Sequence, residues 1–80
     1  MNYFELYELP IQLKVDAVIL KQKLYSLSRK YNPDFFTNES EDEQTRVVEI
    51  SSIVNKAFKT FSNLNETIKY VLQLKGLLIE

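Results

Sequence analysis

Residues 16–34, DAVILKQKLYSLSRKYNPD, decide the fold. Asp16 is a good helix N-cap: its carboxylate can accept hydrogen bonds from the N–H groups that open a helix, and its charge complements the positive end of the helix dipole. Leu20, Leu24, Leu27 and Tyr31 follow at steps of four, three and four, one apolar stripe of a period of about 3.6 residues. Arg29 and Lys30 fall in the last turn, where positive charge is favoured. The helix must end near Tyr31, because Asn32 precedes Pro33 and is pushed out of the α region. This stretch is an amphipathic helix that stops in a rigid Asn32-Pro33-Asp34 turn and needs a second element to cover its stripe.

Working outward, the C-terminal side supplies that element. Residues 32–42 read as an exposed loop, in which Phe36 is expected to be buried at the open end of the helix pair and Phe35 to be at least partly exposed. A third helix is predicted from about Glu43 to Phe61, with Val47, Ile50, Val54, Phe58 and Phe61 as its stripe and Ile53 and Ala57 widening it. A fourth is predicted from Asn65, as N-cap, to Lys75; Ile68, Val71 and Leu72 form its inner face with help from Leu64. Gly76 is placed to end it in the left-handed conformation. On the N-terminal side a short helix is predicted from Asn2, as N-cap, to Leu9, stopped by Pro10. Phe4, Leu6, Tyr7 and Leu9 give it an apolar surface, without which so short a helix could not persist. The expected fold is all-α: two similar long helices packed antiparallel as a hairpin, flanked by two short ones.

The composition fits one small helical domain over residues 1–80. Apolar residues make up 45% and charged residues 26%, with one Gly and two Pro in 80 residues. The sequence has no Cys and no His, which removes disulfides, thiolate sites, the usual nucleophile–base pairs and most zinc or haem sites. A single Gly excludes a glycine-rich phosphate loop, and no spaced Asp-rich calcium loop is present. Neither an enzyme nor a bound cofactor is expected. The net charge of −1 and pI near 5.4 carry no global basic footprint for nucleic acid. The apolar runs are too short to span a bilayer, and the opening residues lack the basic start and apolar stretch of a signal peptide; a cytoplasmic location is expected. Leu77, Leu78 and Ile79 are apolar yet follow a helix stop, the pattern of a chain that continues.

The small net charge hides a separation. Residues 14–30 hold five bases (Lys14, Lys21, Lys23, Arg29, Lys30) against Asp16, a net of +4, whereas residues 34–49 hold six acids against Arg46, a net of −5. Lys21, Tyr25 and Arg29 stand at successive i, i+4 positions away from the Leu stripe, and Asn32 lies beside that row if the helix is extended to it, at about 100° per residue. A basic–aromatic ridge thus leads into the Asn32-Pro33-Asp34 turn. For an arbitrary helix a solvated outer face is the commoner reading; steering of an acidic partner is the sharper one.

Four strings, in order, resemble the J-domain of DnaJ-type co-chaperones and, within that family, its HscB branch: Tyr3-Phe4-Glu5-Leu6 leading to Leu9-Pro10; Tyr31-Asn32-Pro33-Asp34-Phe35-Phe36; Val54-Asn55-Lys56-Ala57-Phe58; and Tyr70-Val71-Leu72-Gln73-Leu74-Lys75-Gly76. The resemblance covers essentially the whole chain. It implies binding to a DnaK/HscA-type heat-shock chaperone and stimulation of its ATP hydrolysis in iron–sulfur protein maturation. The implied contact set is Lys21, Tyr25 and Arg29 on the ridge, Asn32, Pro33 and Asp34 in the turn, and Lys30 more weakly. It also implies a C-terminal domain, absent from these residues, that binds an iron–sulfur scaffold protein. Two positions depart from the family pattern: its His stands here as Asn32, and the Lys that commonly follows the Asp stands as Phe35. Asn keeps a donor and an acceptor but is shorter and cannot become cationic. The alternative that these departures raise is a J-like interaction module that no longer stimulates hydrolysis. A helical nucleic-acid binder ranks below both, and an enzyme last.

Overall fold

A computed structural model describes residues 1–76, and Leu77–Glu80 with their expected continuation lie outside the described residues. Four α-helices follow one another: α1 (Tyr3–Leu6), α2 (Ala17–Lys30), α3 (Glu41–Phe61) and α4 (Leu64–Leu74), with a 3-10 turn at Pro33–Phe36 between α2 and α3. The predicted all-α hairpin with flanking helices is what forms, although α3, at 21 residues, is half as long again as α2, at 14.

The hairpin is antiparallel. Leu20 near the start of α2 faces Phe58 and Phe61 near the end of α3 across a shared groove, while the 3-10 turn at the other end lies on α3. The α2 stripe packs as read, with Leu20 buried and Leu24 and Leu27 half-buried against the core; Tyr31 is half-buried. On α3, Val47, Val54, Ala57 and Phe61 are buried, and Ile50, Ile53 and Phe58 flank them.

The short α1 survives by docking. Phe4, Leu6 and Tyr7 are buried, each such side chain contributing about 1.5–3 kcal/mol by leaving water. The Phe4 ring tilts on Phe61 with centroids 4.8 Å apart, and Tyr3 stacks on Tyr70 at 4.6 Å. Two hydrogen bonds fix this geometry: the Tyr7 hydroxyl donates to the Val54 carbonyl at 2.7 Å, and the Tyr3 amide donates to the Tyr70 hydroxyl at 2.9 Å. Burial pushes the Tyr7 phenol up to about 12 and raises that of Tyr70 as well, because a phenolate would be poorly solvated there.

Three predicted boundaries move, each for a local reason. The first helix keeps Asn2 as N-cap but ends at Leu6, not Leu9. Its stop is set before Pro10 by Glu8, which takes a left-handed φ of 54°. The Leu9 amide then reaches back to the Phe4 carbonyl at 2.9 Å and the Glu8 amide to that of Glu5 at 3.1 Å, the paired bonds of a Schellman motif. The third helix starts at Glu41, two residues earlier than predicted, because the Ser40 hydroxyl caps it by accepting from the Glu43 amide. The N-cap of α4 is Asn63, not Asn65; Leu64 is accordingly 51% exposed instead of joining the inner face. That face is led by buried Thr67 and Val71. The Thr67 hydroxyl lies 3.0 Å from the Thr60 carbonyl and 2.9 Å from that of Asn63, tying α4 to the end of α3. Gly76 ends α4 with a φ of 69°, as predicted.

Candidate functional site

The outer face of α2 and the turn beyond it form one continuous surface. Asp16 opens the helix by accepting from the Val18 and Ile19 amides at 2.9 and 3.0 Å, and this registers the outer residues. Lys21, Tyr25 and Arg29 are all exposed, Tyr25 to 62%, and step along the helix by about 6 Å each. Val18, 65% exposed, and exposed Gln22 belong to the same face; the sequence reading missed them, although the spacing Val18, Gln22, Tyr25, Arg29 is that of one helical row.

Charge availability separates the cations. Among the described residues neither Lys21 nor Arg29 enters an ion pair. Lys23 lies 4.0 Å from Glu8, and Lys30 sits over the Tyr31 ring at 5.4 Å while lining a small cleft with Tyr7, Glu8 and Lys23. Lys30 is exposed, but it points to the α1 flank and not along the ridge. Arg46, the base within the acidic block, is held by Glu43 through two hydrogen bonds of 3.2 and 2.6 Å; the guanidinium keeps the Glu43 carboxyl below its ordinary range.

The predicted loop over residues 32–42 is in its first part a 3-10 turn. Asn32 caps it: its side-chain carbonyl accepts from the Asp34 amide at 3.0 Å, and its backbone carbonyl accepts from the Phe35 amide at 3.0 Å. Pro33 occupies the first position of the turn, where its fixed φ helps and its missing N–H costs nothing. Asn32 is half-buried, Pro33 and Asp34 are exposed, and the Asp34 carboxylate has no hydrogen-bond or ion-pair partner among the described residues. Phe36 is only half-buried where fuller burial was predicted, and Phe35 is 69% exposed.

A basic helix, a rigid Pro-Asp turn and an antiparallel α3 are the arrangement that the resemblance to J-domains implies. No protein-family model matches the chain, but individual relatives do. It is 40% identical over 76 residues to the co-chaperone protein HscB of Buchnera aphidicola subsp. Acyrthosiphon pisum, covering 95% of this chain and 44% of that one. It is 34% identical over 77 residues to the HscB homologue of Vibrio cholerae, covering 96% and 45%. The solved structure of chaperone HscB from Vibrio cholerae superposes with a TM-score of 0.91 at 32% identity, over 100% of this chain and 49% of that one. The chain thus spans a little under half the length of these relatives, and it is a J-domain of the HscB co-chaperone type. Among the described residues no helix is long and apolar enough to cross a membrane.

Proposed function

We propose that the chain is the chaperone-docking module of a cytoplasmic co-chaperone: it binds a DnaK/HscA-type heat-shock ATPase and stimulates its ATP hydrolysis during iron–sulfur protein maturation. In this reading residues 1–80 are one J-domain, and a further domain of the longer protein binds the iron–sulfur scaffold. The module acts by binding and not by catalysis of its own, and neither nucleic acid nor membrane is among its partners. The observation that carries the reading is the surface formed by Lys21, Tyr25 and Arg29 with Asn32-Pro33-Asp34. Its two free cations suit an acidic patch on the ATPase, and the free Asp34 carboxylate at its end suits a cationic group there.

Binding and single-turnover ATP hydrolysis, measured together with an HscA-type chaperone, test this. Docking that tightens at low salt, where exposed charges act most strongly, and faster hydrolysis are expected. Absence of binding even at low salt would sink the proposal; binding with no gain in hydrolysis would support the interaction-module alternative and place the defect at Asn32.

A further inference from the structure

Phe35 sits against the docking surface but outside the contact set that the resemblance implies. Alone among the five Phe residues of the chain it is exposed. In a 3-10 turn residues three apart eclipse one another, so Pro33 and Phe36 share one face while Asp34 and Phe35 occupy the other two. Phe36 is half-buried in a turn that lies on α3, whereas Asp34 and Phe35 are both exposed, adjacent to one another toward solvent. The Phe35 amide is tied to the Asn32 carbonyl at 3.0 Å, so the ring is carried on backbone already fixed. With the backbone already ordered, docking has only the ring's own rotamers to fix, and aromatic residues, Phe among them, are enriched at interfaces.

We propose that Phe35 is an aromatic anchor of the docking surface: the partner that takes the Lys21–Arg29 ridge on an acidic patch offers an apolar recess beside the group that meets Asp34. This rests on the function proposed above and specifies the partner further. The occupant is the ATPase and not a second copy of the chain, because the anchor is continuous with two free cations and a free carboxylate whose complement is an acidic surface with one basic group. A second copy docked symmetrically through this face would bring the same basic ridge against this one.

The test measures affinity for an ATP-loaded HscA-type chaperone at low and at physiological salt, with unfolding midpoints recorded for each variant. Phe35→Ala is expected to weaken binding by about ten-fold at both salt concentrations and to leave the midpoint unchanged, since the ring is not part of the core; Phe35→Tyr is expected to retain most of the affinity. Arg29→Ala should weaken binding chiefly at low salt, which reports the ridge separately. If Arg29→Ala behaves so while Phe35→Ala binds like the native chain, the anchor is overturned and the docking reading stands. No binding by the native chain overturns both. Concentration-dependent dimerisation that Phe35→Ala abolishes, with chaperone affinity unchanged, also overturns it and assigns the ring to a second copy.

Discussion

Asn32 commits its side-chain carbonyl to its own turn, so the residue that departs from the family pattern has a local structural role. Asn32→Asp keeps the acceptor and is expected to keep the turn. Asn32→Ala removes it at a cost of about 0.5–2 kcal/mol, with faster hydrogen exchange at the Asp34 amide and weaker chaperone binding. Unchanged exchange in the Ala variant would show that Pro33 alone sets the turn. Tyr7 makes a different prediction. It is 0% exposed, and its folded-state pKa of about 12 stands above the ordinary 10.0. Above pH 10 the unfolded chain therefore loses this proton first. The contribution to stability is intact below pH 10 and is lost progressively as pH rises toward 12, with Tyr70 acting in the same direction. Urea unfolding across that window reads the slope. Tyr7→Phe should flatten it while losing the bond to Val54, worth about 1 kcal/mol; an equally steep fall in that variant would assign the effect elsewhere.

Helix ends carry most of what distinguishes the observed elements from the predicted ones. Periodicity fixed the interiors, because a buried stripe needs its spacing whatever caps it. The ends were less legible, because several capping residues compete within a few positions: Ser40 won over the acids that follow it, and Asn63 over Asn65, once packing chose the register. The left-handed Glu8 had no composition cue at all, since Gly is the usual residue there. Glu8→Gly relieves a conformation that costs an L-residue about 1–2 kcal/mol, offset in part by a floppier unfolded chain. Its ion pair with Lys23 is long, with the Glu8 side chain 81% exposed, and contributes little. A net gain of up to about 1 kcal/mol in urea unfolding is expected; destabilisation would mean that Glu8 makes a contribution beyond its backbone. Thr67 was hidden because a polar residue interrupts an apolar face, yet its hydroxyl answers two carbonyls. Thr67→Val, nearly equal in volume, should cost about 1 kcal/mol, the worth of the one hydrogen bond lost, because both carbonyls keep a backbone amide donor.

At the scale of the whole molecule, the candidate surface was legible because it depends on helical phase and on one Pro, both of which survive tertiary packing. Which cations remain free was not, since the Lys23–Glu8 pair joins separate segments and the Lys30–Tyr31 contact depends on how the side chains settle where α2 ends. The charge separation also serves the fold. Arg29 and Lys30 end α2, and Glu41, Asp42 and Glu43 begin α3, each group favoured by its own helix dipole. A structural role for these charges therefore has to be separated from a steering role. Reversal of the ridge does so: Lys21→Glu with Arg29→Glu inverts two free, exposed charges and breaks no ion pair among the described residues. The folding cost should stay below about 1 kcal/mol, the worth of a dipole contact in the last turn. Association with the ATPase should slow by about ten-fold or more at low salt and lose its acceleration on dilution of salt, since steering of an acidic surface is an ionic-strength-dependent rate effect. Stopped-flow rates at several salt concentrations, beside unfolding curves, give both numbers. An unchanged rate would confine these charges to the helix dipoles, whereas a slowed rate on an intact fold identifies the outer face of α2 as the approach surface.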